Sequence, residues 1–322
     1  MRTINQSLPV RGGRLTGWGT ALPDKIVTNE DLVATLDTTE EWIRERTGIK
    51  ERRIGGTTAG LAIEAGQKAL DRSGLSPEQI ELVILCTTSP DKTVPSTASE
   101  VQDALGIPGG ACDLNAACSG FVYGLVSAFG HLAIGYDRIL VIGSETMSRI
   151  TDWTDRNTAV LFGDGAGAVV LESEESASQL LGFDLGSDGG ARHLIEAEFG
   201  GLMRMEGREL FRRAVRALVD SASLALERAG LSIDDIHLVI PHQANIRIIE
   251  SACQRLGVPM DRTVNVLETT GNTSAASIPL GLVEGIQSGR LNDGDLVLLV
   301  GFGAGMSWAS AVLRWGSIGD KA

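Results

Sequence analysis

A layered α/β fold built from two copies of one unit is the architecture this 322-residue sequence predicts. Three features predict it: an internal repeat, wholly apolar strands that end in glycine, and amphipathic helices that alternate with those strands. LDRSGLSPEQIELVI at 70–84 and LERAGLSIDDIHLVI at 226–240 agree at nine of fifteen positions with an offset of 156, close to half the chain. Each copy reads as a helix closed by Gly74 or Gly230, a turn opened by serine, and a buried strand. YDRILVIGSE at 136–145 and DGDLVLLVGFG at 293–303 follow roughly the same offset, each a polar turn feeding an apolar strand. Strands apolar on both sides need helices over both faces of their sheet. Two halves follow, 1–173 and 174–322, packed as a pseudo-dimer with no low-complexity linker between them.

Composition narrows the class. Forty glycines with 43% hydrophobic residues suit a glycine-punctuated α/β enzyme able to bury a sizeable core. No apolar run approaches the roughly 20 residues of a membrane span. Residues 1–13 are polar and basic, without the apolar centre of a leader, so a cytoplasmic protein off the membrane is expected. The cysteines at 86, 112, 118 and 253 have no C-x-x-C spacing, so reduced thiols and no metal are expected. A formal charge of −13 would repel nucleic acid.

DLNAACSGFVYG at 113–124 sets Cys118 where a strand hands over to a helix. Unpaired amides and the helix dipole favour an anion there, which predicts a thiol pKa below the free value of about 8.5. By the repeat offset Cys118 falls on Ser274 in ETTGNTSAASIPLG, so the two helix N-termini are expected to meet with the thiol near the centre of the molecule. A free cysteine commonly does no more than pack. A lone histidine is more often a hydrogen-bonded structural residue, and an asparagine after glycine more often a turn or cap. Here VIPHQANIRII sets His242 just beyond the repeated strand and GNTSAAS sets Asn272 after a glycine, and three such junctions linked by one repeat favour a site.

Together these side chains suit carbon–carbon condensation. A thiolate takes an acyl group from a thioester. The histidine and asparagine donate hydrogen bonds to a second substrate, stabilising the enolate left when it loses CO2. GFGAGMSW at 301–308 supplies a glycine-rich loop whose amides can form an oxyanion hole. GDGAGAVVL at 163–171 lacks the Lys-Ser/Thr of a phosphate loop and leads into a strand, which argues against a nucleotide-dependent kinase or ATPase.

The ordered series TTEEWIRERTGIKERRI, TTSPDKTVPSTA, DLNAACSGFVYG, DRNTAVLFGDGAGAVVL, PHQANIRI, GNTSAASIP and GFGAGMSW resembles the β-ketoacyl-[acyl-carrier-protein] synthase III family of the thiolase-like superfamily over nearly the whole chain. The resemblance implies a five-layer αβαβα fold of two duplicated α/β halves. It implies an acyltransferase that condenses a short acyl-CoA primer, acetyl or branched, with malonyl-acyl carrier protein to start fatty-acid synthesis. Cys118 would be acylated, with His242 and Asn272 as the decarboxylation pair and the amides of Cys118 and Ala304 as oxyanion donors. Trp42 and Arg156 would hold the coenzyme A adenine between them, with Arg46 nearby, and Gly207 and Asn245 would line the pantetheine channel.

For the acidic carrier protein, the resemblance points to Gln243, Arg247, Arg208, Arg212, Arg213 and Arg255. Arg208, Arg212 and Arg216 recur every four residues in MEGRELFRRAVRALV and so share a helix face, although an ordinary solvated face has the same spacing. A homodimer is implied, and no cofactor beyond coenzyme A thioesters as substrate. Two departures bear on the primer: the segment 189–205 is shorter than in many relatives, and Val94 replaces a phenylalanine often found beside the partner subunit's pocket. Both leave the primer open, and a roomier pocket would accept branched or longer starters. A polyketide-starter synthase or an acyltransferase with another acceptor is the alternative within the fold. A degradative thiolase would need a second catalytic cysteine near the C-terminus, and Cys253 lies in a helical stretch instead.

Overall fold

Both copies of the repeat fold alike, for local reasons. The computed structural model describes residues 11–175 and 177–316. Most of the amino-terminal segment read above, and the outer limits of both halves, lie outside the described residues. The helix Thr58–Ser73 stops at Gly74 with φ 72°, and Gly207–Ala229 stops at Gly230 with φ 68°. Glycine takes this left-handed conformation without a Cβ clash, which ends each helix. Ser76 and Ser232 then each close a capping box, with Gln79 and Asp235. Ile80 and Ile236, each 1% exposed, lead into the strands.

The first half runs β1 (Arg11–Ala21), α1 (Glu40–Thr47), α2 (Thr58–Ser73), β2 (Leu82–Cys86), α3 (Thr97–Leu105), β3 (Gly110–Leu114), α4 (Gly120–Ala133), β4 (Arg138–Thr146) and β5 (Asp164–Glu175). The second runs β6 (Leu180–Ser187), α5 (Gly207–Ala229), β7 (Leu238–Pro241), α6 (Ile246–Leu256), α7 (Ser277–Gln287), β8 (Leu296–Gly303) and β9 (Ser307–Arg314). One sheet has the order β1-β5-β4-β2-β3, the other β6-β9-β8-β7. The first four strands correspond one for one. The counterpart of β3 shrinks to a single parallel bridge between Val239 and Thr263.

Alternation along the strands divides the side chains among three cores. On β4, Ile139 and Val141 face a central core shared with α4, α7 and the inner face of the second sheet. Leu140 and Ile142 face the outer core beneath α2 and α3. The outer face of the second sheet packs on α5 and α6. Three cores between five layers explain why strands such as LVILC are apolar throughout.

The halves meet through glycines. A methyl at Gly143 on β4 would lie 2.5 Å from the Ala275 carbonyl oxygen, and one at Gly301 on β8 would lie 3.0 Å from Ser119 Cα. Each sheet thus receives the turn that opens the other half's central helix. Those turns, Ala117–Ser119 and Ser274–Ala276, correct the repeat register. Asn115 Oδ1 accepts the Ala117 amide at 3.0 Å, just as Asn272 Oδ1 accepts that of Ser274 at 2.9 Å. The offset here is 157, one more than at 70–84, so Cys118 corresponds to Ala275 and Asn272 to Asn115. One residue more lies between repeat and turn in the second half, which the well-matched segment alone does not reveal.

Candidate active site

Among the described residues, three that are not glycine have left-handed backbone: Ala117 (φ 48°), Ser274 (φ 49°) and Met306 (φ 49°). Each lies in one of three turns that converge on the same place, and such strain persists where surrounding structure enforces it. The turns border a cavity of about 700 Å³ with Cys118, His242, Asn272 and Ala304 in its wall and Trp42, Arg46, Gly207 and Asn245 further along it. The three candidate reactive side chains therefore share one space.

Cys118 precedes α4 by one short turn. It keeps some exposure to the cavity, yet protein encloses it densely enough that burial pushes its thiol up to about 12. The expectation of a depressed thiol pKa is overturned. Taking the anion out of water favours the neutral thiol in a site this enclosed. Burial likewise holds His242 down to about 3, so its ring is neutral.

The histidine and asparagine are fixed as donors. Ser277 Oγ lies 2.7 Å from His242 Nδ1 and accepts the Gln243 amide at 3.4 Å. With Ser277 donating its proton to Nδ1, the ring hydrogen sits on Nε2. Asn272 commits its Oδ1 to the Ser274 amide, leaving Nδ2 as donor. Its backbone is held across the halves, with its amide donating to Leu161 at 2.8 Å and its carbonyl accepting from Gly163 at 3.1 Å.

Ala304 is brought beside Cys118 by Gly303: a methyl there would lie 2.5 Å from the Cys118 nitrogen. Ser307 ties the two turns together. Its hydroxyl lies 2.9 Å from the Ala116 carbonyl and 3.1 Å from that of Ala304, and accepts from Ser119 at 2.8 Å. Sequence reading missed Ser119, Ser277 and Ser307, because each acts through a partner distant along the chain. It also missed Glu145, whose one signal was a charge ending an apolar strand.

Along the cavity, Trp42 is flanked by the Arg156 guanidinium at 5.3 Å and that of Arg46 at 5.8 Å. A purine between indole and guanidinium needs roughly 7 Å, twice a van der Waals spacing. The expected Trp42–Arg156 clamp is therefore closed on itself, with Arg156 held by the Asp37 carbonyl at 2.9 Å. Gly207 opens α5, and Asn245 caps α6 by accepting the Arg247 amide at 2.9 Å.

The docking patch differs from expectation. Gln243 is fully buried, donating to the Pro241 and Val264 carbonyls and accepting from Val266 and Leu267, so it cannot meet a protein partner. Arg212 pairs with Glu209, Arg213 with Glu209 and Asp188, and Arg216 with Asp220. Arg208, Arg247 and Arg255 stand outside the ion pairs formed among the described residues, and Arg247 stacks over Phe211 at 5.7 Å. The cationic surface left is smaller than the spacing of arginines predicts.

Known proteins resemble this chain over nearly its whole length. Family models described as 3-oxoacyl-[acyl-carrier-protein] synthase III and its C-terminal region match residues 112–189 and 226–315. A β-ketoacyl-[acyl-carrier-protein] synthase III of Bacillus anthracis is 48% identical over 308 residues, covering 94% of this chain and 98% of that one. The chain belongs to the β-ketoacyl-[acyl-carrier-protein] synthase III family. Membership makes this synthase III chain a condensing enzyme of the acyltransferase class with the thiolase-like fold. The crystal structure of the Aquifex aeolicus synthase III superposes with a TM-score of 0.92 at 44% identity, covering 94% of this chain and all of that one. A priming β-ketosynthase of the R1128 polyketide pathway also reaches 0.92, at 34% identity, covering 97% and 99%.

Proposed function

We propose that the chain condenses a short acyl-CoA primer, acetyl or branched, with malonyl-acyl carrier protein in the first carbon–carbon bond of fatty-acid synthesis. The observation that carries this is the pair of fixed donors: His242 and Asn272, both locked by serine or amide partners, present N–H groups to the cavity that holds Cys118. The Cys118 sulfur attacks the primer thioester and expels coenzyme A thiol, with the carbonyl oxygen received by the Cys118 and Ala304 amides. The carrier-bound malonyl group then enters. Its thioester oxygen accepts from His242 Nε2 and Asn272 Nδ2, so that loss of CO2 leaves an enolate whose carbon attacks the acyl-cysteine. A neutral histidine suits this role, since it donates without having to lose a charge. The enolate and oxyanion charges are met by groups of the chain and no oxidation state changes, so the scheme calls for no metal or redox cofactor.

Met147, Phe162, Met203 and Met205 line the cavity, and flexible methionines adapt to primers of differing shape. The polyketide priming reading keeps support from the 34% identical ketosynthase. No helix among the described residues is long and apolar enough to cross a membrane, which fits a cytoplasmic enzyme. The open edge of β3, with Val94 81% and Phe199 92% exposed, supports a homodimer, for which light scattering is the test.

Intact-mass analysis should show acetyl-CoA adding one acetyl group to Cys118, and acetoacetyl-carrier protein should appear on adding malonyl-carrier protein. Cys118→Ala should lose the first step. His242→Ala and Asn272→Ala should acylate normally and fail in the second, whereas equal loss of both steps would refute the division of labour. Acylation of wild type without condensation would favour an acyltransferase with another acceptor.

A further inference from the structure

Behind Cys118 lies a buried carboxyl that the scheme above leaves unused. Glu145, at the end of β4, is fully buried and has no ion-pair partner among the described residues. Its two oxygens are unlike. Oε2 accepts from Thr87 Oγ1 at 3.0 Å, the Thr88 amide at 3.1 Å, and the Ser89 amide and hydroxyl at 3.0 and 2.5 Å. Oε1 has only two long contacts, from the Thr88 amide at 3.2 Å and the Ala275 amide at 3.3 Å. The unsaturated oxygen therefore faces the turn that begins with Ser274.

The Ser274 hydroxyl is fully buried and makes no hydrogen bond of good geometry. Ser274 shares the cavity wall with Cys118, and the amide of the next residue, Ala275, donates to Glu145 Oε1, so the unpartnered hydroxyl lies in the turn between the two groups. A buried hydroxyl without a settled partner is costly and uncommon. Between a thiol and a carboxylate it can donate to either.

We propose that Ser274 and Glu145 form a relay that takes the Cys118 thiol proton during acyl transfer and returns it when condensation frees the sulfur. This rests on the acyl-transfer reading. As sulfur bonds to the primer carbonyl carbon, its proton passes to Ser274 Oγ and the serine proton passes to Glu145 Oε1. The bond to coenzyme A breaks, and the departing thiolate takes a proton from solvent. In condensation the enolate carbon bonds to the acyl carbon, the Cys118 thiolate leaves, and the proton returns through Ser274 to sulfur. One solvent proton is consumed per turnover, as decarboxylative condensation requires.

The alternative acceptor is His242. Proton transfer to it would create a cation and an anion from two neutral groups in an enclosed site, whereas the relay moves to sulfur a charge that Glu145 bears among donors alone, from Thr87, Thr88, Ser89 and Ala275. Burial raises the carboxyl's affinity for a proton and lowers that of the imidazole. The other titratable groups nearby are Cys86, buried with its thiol pushed up, and the Arg149–Asp91 pair, whose guanidinium reaches the Ser89 carbonyl at 2.5 Å.

The test is the pH dependence of Cys118 reactivity between pH 6 and 9, by single-turnover acetylation with acetyl-CoA and by alkylation with iodoacetamide. An internal acceptor makes the reactive fraction independent of pH, so wild type should be flat. Glu145→Gln and Ser274→Ala must release the proton to solvent, so both rates should rise about tenfold per pH unit, with acetylation near pH 7 down about 10²-fold. Ser274→Ala leaves the other Glu145 donors in place and keeps the test available should Glu145→Gln fail to fold. Flat profiles in both variants, lowered in amplitude alone, would overturn the relay. Alkylation needs no acyl-CoA, so a wild type that is not acetylated while the alkylation slopes differ as stated would tell against acyl transfer and uphold the relay.

Discussion

Gly303→Ala probes the oxyanion geometry through a contact whose size is known. The added methyl would begin 2.5 Å from the Cys118 nitrogen, 3.1 Å from Ala117 Cβ and 3.2 Å from Cys118 Cα. Ordinary contact needs roughly 3.5 Å, so the Cys118 amide and the Gly303–Ala304 peptide must separate by about 1 Å. These neighbours are backbone or Cβ atoms without rotamers, and the Ser119–Ser307 bond resists their parting. Gly303 has φ −156°, an extended conformation open to any residue, so the effect is steric alone. Losing an oxyanion donor costs about 10²- to 10³-fold, and a displacement of this size about 10²-fold. Acylation of Cys118, followed by intact mass in single turnover, should slow by about 10²-fold or more. Overpacking should destabilise the fold by about 1–3 kcal/mol. Gly305→Ala is the control. Its φ is 71° with nothing within 4 Å of an added methyl, so it should cost about 1 kcal/mol of conformational strain with little change in acylation. Wild-type acylation in Gly303→Ala, or equal losses in the two variants, would refute the placement of the amides.

Ser277→Ala removes the partner that fixes His242 Nδ1. One such bond is worth about 1–3 kcal/mol, so condensation should slow by roughly ten- to a hundredfold with acylation unchanged, and equal slowing of both steps would contradict the donor role. Arg247→Glu should raise the KM for carrier-bound malonate roughly fivefold or more while leaving that for acyl-CoA nearly unchanged. Arg212→Glu should do less, because its charge is already engaged by Glu209; the reverse order would reject the smaller docking patch. Burial holds His242 at about 3 against 6.5, so below pH 6.5 the unfolded chain takes up a proton that the folded chain refuses. Stability from this group is whole above pH 6.5 and falls by up to about 1.4 kcal/mol per pH unit down to pH 3. Denaturant titrations should therefore show His242→Gln gaining on wild type between pH 7 and 5, and parallel curves would exclude the effect.

The duplication was legible because its signals are local. Gly74 and Gly230 end helices, Ser76 and Ser232 cap the next turn, and apolar strands follow, all within fifteen residues. Cys118, His242 and Asn272 were legible because each sits at a strand-to-helix junction, where a side chain can reach a cavity. The register of the repeat at Cys118 was not, since one additional residue outside the well-matched segment changes which positions correspond.

Tertiary structure decided what depends on enclosure and on partners far along the chain. Arg212, Arg213 and Arg216 share a helix with Arg208, yet carboxylates at 188, 209 and 220 set how much of their charge remains available. Gln243 stands beside His242 in sequence but turns into the protein to bond Pro241 and Val264. Helix-end position alone argues for a thiolate at Cys118, whereas burial in the closed fold pushes the thiol the other way. Sequence sets the backbone's local preferences and the identity of the reactive groups, because caps, turns and alternation act over a few residues. Charge state, donor direction and access to solvent arise only when the two halves close on each other, because desolvation and hydrogen bonding depend on which atoms arrive from elsewhere in the fold.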